Sequence, residues 1–213
     1  MRKHRPRAEQ VEENRAAVLM AAKRVFLARG YAGATLEAIA EEAGFSKGVV
    51  YSQFGGKADL FLALLERRID ERAAQNERIA AGKAGAPSVM ALLENFERDS
   101  HVEAGWGNLL VEFRAAALRD PDLNRRYAAS HARTVDRLAD LLDRVHTRAG
   151  TEPAFAPRTM AEFILALGAG LALERAANPD ALGWPDIAQV MANALGFESD
   201  ATVADPSVTE AVR

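Results

Sequence analysis

The stretch Thr35–Lys57, TLEAIAEEAGFSKGVVYSQFGGK, decides the reading of the chain. In its first part Leu36, Ile39, Ala40 and Ala43 share one helical face, and Glu37, Glu41 and Glu42 turn outward. Thr35 is placed as the N-cap, with Glu37 in the first turn favourable to the helix dipole. Ala38 stands where a full capping box would need Glu or Gln. Gly44 can turn left-handed without steric cost, Phe45 offers an apolar anchor, and Ser46 is placed to cap the next helix. Two short helices joined this tightly, Leu36–Ala43 and Lys47–Phe54, make a helix-turn-helix.

The second of these helices has two unlike faces. Val50 and Phe54, four apart, form the side that packs inward. Gly48, Val49 and Ser52 lie opposite, flanked by Tyr51 and Gln53. A DNA major groove admits slim side chains that donate, accept or touch a thymine methyl, with cations and hydroxyls at the edges for phosphates. On this reading Gln53 suits a base edge and Val49 a methyl, while Lys47, Tyr51 and Lys57 suit phosphate. Lys57 also opens a further helix, whose N-terminal amides would add to an anion site. The competing reading is a solvated helix pair in an ordinary all-α protein. Gly48 favours the groove, because a glycine inside an exposed helix costs about 1 kcal/mol relative to alanine and is easier to understand where another surface comes close.

Outward from this stretch, the charge is uneven. The net charge is -3, yet residues 1–68 carry 12 Lys and Arg against 8 Asp and Glu. The remainder carries 15 against 22. Opposite signs in two parts of one chain suggest two tasks. There is no cysteine, which excludes disulfides, thiolate metal sites and a cysteine nucleophile, and fits a cytoplasmic protein. The basic start MRKHRPRAEQ lacks the apolar segment of a signal peptide. The apolar run FILALGAGLAL, Phe163–Leu173, is well short of the roughly 20 residues of a membrane helix. A soluble protein is expected.

Helical spacing runs throughout, with no strand pattern and no internal repeat. The first helix is expected from about Glu9 to Arg29, with Gly30 as a left-handed cap, and a longer one from about Lys57 to Ala81. GKAGAPS, Gly82–Ser88, reads as a linker. Further helices are expected over Ser88–His101, Trp106–Arg119, Pro121–Ala149, Pro157–Ala177 and Pro185–Leu195, three of them with proline near the first position. The tail Ser199–Arg213 reads as disordered.

The segment AEEAGFSKGVVYSQFGGKADLF, preceded by FLARGYAGATLEAIA, resembles the N-terminal domain of the TetR family of bacterial transcriptional regulators across about Arg15–Leu65. The shared features run in order: the aromatic after the glycine of the first helix, the Thr cap, the Ala and Gly of the turn, and Ser-Lys-Gly opening the recognition helix. Tyr and Phe three apart follow, then a Lys before an apolar helix. The resemblance implies an all-α fold of about nine helices. A helix-turn-helix DNA-binding domain over 1–56, with its basic arm, would join a helical effector-binding and dimerisation domain over 57–198, followed by the tail 199–213. It implies phosphate contacts from Thr35, Lys47, Tyr51 and Lys57, base contacts from Val49, Ser52 and Gln53, and a place for Ser46 and Gly48 in the same surface. Arg2, Lys3, Arg5 and Arg7 would follow the minor groove, or else form a solvated tail. Gly55 and Gly56 stand where many relatives carry Ser or Pro.

The acidic remainder carries no comparably sharp signature. Trp106, Leu109, Leu110, Phe113 and Ala117 form one apolar stripe, and Leu123, Tyr127, Thr134, Leu138, Leu141 and Val145 another, interrupted by His131. Trp106, Leu110, Phe113, Tyr127, His131, Phe163 and Leu167 are the pocket candidates for a small apolar or amphipathic effector, against the plainer reading of core residues. FILALGAGLAL is apolar around its circumference and needs neighbours on all sides. Leu165, Gly168, Ala169 and Ala172, with Ile187, Val190, Met191 and Ala194, are the candidates for a four-helix seam across a two-fold axis.

The expected function is a ligand-released repressor, a homodimer on an inverted-repeat operator, with no cofactor, no metal and no catalysis. Two rivals remain. One is a helical small-molecule-binding protein without DNA function. The other is a metal enzyme, for which Asp143 and His146 give one acid–His pair where a di-metal bundle needs two.

Overall fold

The computed structural model describes residues 7–102, 104–178 and 182–197. Nine helices form among them: α1 Arg7–Gly33, α2 Leu36–Ala43, α3 Lys47–Phe54, α4 Lys57–Ala80, α5 Gly85–Val102, α6 Ala104–Ala117, α7 Pro121–Ala149, α8 Pro157–Ala177 and α9 Trp184–Ala194. The chain is all-α. The arm residues Arg2, Lys3 and Arg5 and the tail Ser199–Arg213 lie outside the described residues; Arg7 opens α1.

Local chemistry sets most of the ends. Thr35 Oγ1 accepts from the Ala38 N–H at 3.2 Å, the expected N-cap of α2. Gly44 closes α2 with φ 72° and ψ 25°, and the Phe45 N–H returns to the Ala40 carbonyl at 2.9 Å, a left-handed cap that only glycine adopts without strain. Ser46 holds the N-cap position of α3 in extended backbone, but its side chain makes no capping bond. Proline opens α7 and α8 and stands second in α9, near the first position as expected. The linker is shorter than expected, because α5 starts at Gly85 and takes Pro87 into its first turn, where the missing N–H has no intrahelical partner to lose.

Gly30 is a correction of another kind. Its φ of 69° and ψ of 173° are not those of a left-handed cap, and they belong to a region open essentially to glycine alone. The helix breaks there and resumes for one turn, Tyr31–Gly33, in a new direction.

Packing does not divide where the helix-turn-helix ends. One core joins Val18, Ala22 and Phe26 of α1, Ile39 of α2, Val50 and Phe54 of α3 and Phe61 of α4 to Trp106 and Phe113 of α6 and Leu123 and Tyr127 of α7. A second gathers Val89 and Leu93 of α5, Leu142 and Val145 of α7, Met160 and Leu171 of α8, and Ile187 and Met191 of α9. Thus α7 belongs to both, its start to the first core and its rest to the second. Along the outside, Arg126, Arg133, Arg137 and Arg144 of α7 pair with Asp59, Glu66, Asp70 and Glu77 of α4, each pair 67 residues apart. The constant offset means that α4 and α7 run parallel in one register. Each pair is exposed and adds little stability.

The expected seam residues also part company. Ile187 and Met191 are buried in the chain's own core, so they have no outer surface to offer. Gly168 faces Phe96, and Ala172 faces Gly107 of α6. Leu165, Ala169 and Ala194 are half-buried. What α8 leaves open is the stripe Phe163, Ala166, Gly170 and Leu173, with Val190 of α9 also exposed. Those spacings of three and four follow one helical face, so the run is apolar all round because only part of it is covered within one chain.

Candidate nucleic-acid interface

Two buried side chains fix the roll of α3. Val50 is 0% exposed and Phe54 6%, and because each residue advances about 100° around a helix, Lys47, Gly48, Tyr51 and Ser52 face solvent. Val49 is half-buried at the edge of that surface. A Cβ placed on Gly48 would meet nothing nearer than Ser46 Oγ at 3.9 Å. Nothing within the chain therefore requires glycine there, and the cost of having one points to an external surface. Ser52 Oγ donates to the Val49 carbonyl at 2.9 Å, which leaves its oxygen free to accept.

Lys47 pairs with Glu37 of α2 across the turn and lies 5.4 Å from the centre of the Tyr51 ring. The bond to Glu37 holds the Lys47 ammonium above its usual range, and the same bond to Lys47 holds the Glu37 carboxyl below its own. The cation stays charged, tethered by a weak exposed partner that a phosphate can replace. Gly55 and Gly56 have a clear geometry: Gly55 takes φ 72° and its N–H caps Tyr51 at 2.9 Å, and Gly56 is extended ahead of α4.

Two expected contacts point elsewhere. Gln53 sits on the shoulder of the buried face, three after Val50 and next to Phe54, and its Oε1 is buried with no hydrogen-bond partner. It lines a cleft of about 400 Å³ between α3, α4 and α7, together with Arg15, Glu66, Arg126 and Arg133. Lys57 Nζ donates to the carbonyls of Tyr31 at 2.8 Å and Ala32 at 3.3 Å. In this structure it therefore ties α4 to the end of α1. Arg15 carries no mark in the sequence, yet its guanidinium covers the Phe54 ring at 4.4 Å and donates to the Gln53 carbonyl at 3.3 Å. Its signal in the sequence was only a cation on α1, with no local pattern to mark it.

The pocket candidates are not brought around one cavity. Trp106, Phe113 and Tyr127 are packed into the first core, with Phe113 stacked on Phe61 at 4.2 Å and on edge to Tyr31 at 5.0 Å. Leu110 packs against the same core and Leu167 against the second. His131 stacks on Tyr127 at 5.7 Å, and Phe163 is exposed. His146 uses Nδ1 for Thr151 Oγ1 at 3.0 Å and stacks on Phe197. Among the described residues no group of three or more His, Asp or Glu that could hold a metal ion is assembled, and no helix is long and apolar enough to cross a membrane.

Residues 18–64 match the family model described as bacterial regulatory proteins, tetR family, and residues 88–196 match BetI-type transcriptional repressor, C-terminal. The transcriptional activator FasR of Mycolicibacterium smegmatis is 46% identical over 59 residues, 28% of this chain and 27% of that protein. The fold is shared with a TetR-family regulator from Rhodococcus sp. at a TM-score of 0.72 and 23% identity, covering 87% of this chain and 97% of that one. It is shared too with FadR of Bacillus subtilis, solved in complex with stearoyl-CoA, at a TM-score of 0.68 and 15% identity over 84% and 96% of the two chains. Relatives named for transcriptional regulation, a helix-turn-helix whose outer face is exposed, and matches at both ends lead to one conclusion: this chain belongs to the TetR family of bacterial transcriptional regulators, which bind DNA and are not enzymes.

Proposed function

We propose that the chain is a ligand-released repressor that acts as a homodimer on an inverted-repeat operator in the cytoplasm. The observation that carries this reading is the outer face of α3, where Lys47, Gly48, Tyr51 and Ser52 are exposed and Gly48 serves no packing need. Base contacts come from Ser52 and Val49, phosphate contacts from Lys47, Tyr51 and the Thr35 end of α2. Dimerisation uses the open stripe of α8 with Val190 of α9, because an apolar face of this regularity is unfavourable in water. Two copies would then offer two recognition helices to successive major grooves.

The effector is a small apolar or amphipathic molecule. Support for this comes from the apolar character of the second half and from the fold shared with the FadR that holds stearoyl-CoA. Release follows if the effector prefers the state in which the two helix-turn-helix units are wrongly spaced, and DNA then weakens effector binding by the same coupling energy. Repression is favoured over activation by the match to a repressor-type C-terminal half.

The test is binding of the purified protein to DNA from upstream of its own gene, against random duplex, across a salt series. Salt-sensitive binding that maps to an inverted repeat is the expected result. Equal, weak binding to both duplexes, and to every member of a random library, would favour a helical binding protein without DNA function.

A further inference from the structure

Three helices meet at the backbone of Tyr31. Its N–H donates to Glu112 Oε2 of α6 at 2.8 Å, and its carbonyl accepts from Lys57 Nζ of α4 at 2.8 Å. Its ring lies on edge to Phe61 of α4 at 5.3 Å and to Phe113 of α6 at 5.0 Å. The break at Gly30 explains the chemistry. The resumed turn takes Gly30 O as its first carbonyl acceptor, from the Ala34 N–H at 3.2 Å, so the N–H of Tyr31 is one of the orphan donors at a helix start. Glu112 supplies the acceptor from another helix. Lys57 grips the carbonyls of the same turn, so an anion sits at its positive end and a cation at its negative end.

Glycines make this approach possible. A Cβ on Gly30 would lie 2.6 Å from Glu112 Oε2, a distance no side chain tolerates unless the carboxylate moves. α6 is seated closely on both flanks: a Cβ on Gly105 would come 3.3 Å from Leu27 of α1, and one on Gly107 would come 2.7 Å from Ala172 of α8. α6 therefore spans from α8, which carries the open stripe, to α1, which carries the helix-turn-helix. Glu112 lies on α6 beyond both contacts, and only Ala34 separates the turn it holds from the Thr35 cap of α2.

We infer that Glu112 is a positioning residue for DNA binding: its carboxylate caps the turn Tyr31–Gly33 and fixes the angle between α6 and the helix-turn-helix. A shift of α6 against α8 is thereby passed to α3 through Tyr31. The functional part of this inference rests on the DNA-binding reading above; the geometric part does not.

The chain has no cysteine, so spin labels can be placed at Ser52→Cys on α3 and Asp140→Cys on α7. Labelled chain diluted with unlabelled chain reports the intrachain distance by pulsed electron resonance. A narrow distance distribution is expected for Glu112 and for Glu112→Gln, which keeps an acceptor oxygen. A broadened one is expected for Glu112→Ala and for Glu112→Asp, which is one methylene too short. In unlabelled protein, Glu112→Ala should weaken binding to the preferred upstream duplex about tenfold, the scale of a lost charge-assisted hydrogen bond, and Glu112→Gln should restore most of it. An unchanged distribution in Glu112→Ala, or a Glu112→Gln variant as broad as alanine, overturns the inference. Should the alanine variant fail to fold, Asp against Gln decides, and equal behaviour of the two overturns it. A parent protein with no DNA preference overturns the DNA-binding reading alone, because the label distances still decide the geometry.

Discussion

The two hydrophobic cores differ in material and in closure. The first is aromatic: Phe26, Tyr31, Phe61, Trp106, Phe113 and Tyr127 form a chain of ring contacts. It is covered by α1–α4 on one side and by α6 and the start of α7 on the other. The second is mostly aliphatic, and its α8 keeps one apolar face open. The difference teaches that the helix-turn-helix is not a module hung on a separate body. Large flat rings with directional contacts hold α1 and α4, on which α2 and α3 pack, in a fixed relation to α6, whereas the second core leaves one apolar face of α8 exposed.

The largest test removes a ring shared by both sides of the first core. Phe113→Ala should cost about 3–5 kcal/mol, read by denaturant unfolding, and should lower amide protection in α2 and α3 as well as in α6. Full protection retained in α2 and α3 would break the comparison and restore an independent DNA-binding module.

A second test opens the other core's exposed face. Phe163→Glu with Leu173→Glu places charges in the stripe without touching the buried residues, so helix content should be kept, and melting should fall only by what association contributes. Association measured by sedimentation should weaken by more than tenfold, as expected for apolar anchors at an interface centre. A wild-type protein that is already monomeric would remove the seam altogether.

Smaller effects distinguish the faces of α3. Lys47→Ala should weaken binding to every duplex and lower the slope of log affinity against log salt by about one, with melting unchanged because its ion pair is exposed. Gln53→Ala should leave the preferred sequence intact, since its Oε1 is buried rather than presented on the outer face of α3. A relaxed preference would mean that the amide swings out on DNA, as its sequence position first suggested.

The smallest effect is on pH. Burial holds the imidazoles of His131 and His146 below their usual value, with Arg114 acting the same way on His131. The unfolded chain then takes up the protons more readily. Stability is full above a pH of about 6.5 and falls as the pH drops below it toward the folded-state values. Substituting both with Asn should flatten that decline in a melting series.

Much of this was legible in the residues. The bounds of α2, α3, α7 and α8 follow from Thr35, Gly44, Gly55, Pro121, Gly150 and Pro157, because caps and breakers act over a few neighbouring atoms. The outward set of α3 was legible for the same reason, except at Gln53, where periodicity alone cannot say which shoulder of a helix its neighbours cover. Which aromatic residues would line a pocket is not legible in the sequence, because an aromatic stripe looks alike whether it lines a cavity or fills a core.

The sequence by itself determined the helices, their caps, the helix-turn-helix and its likeness to a family, since these depend on local sterics, hydrogen bonds and spacing. Tertiary structure alone decided that Ile187 and Met191 turn inward while Phe163 and Leu173 turn out, that Lys57 spends its charge on Tyr31 and Ala32, and that Glu112 reaches the break at Gly30. Those are contacts between residues far apart in the chain, and only the packing of whole helices against one another brings them within a few ångströms.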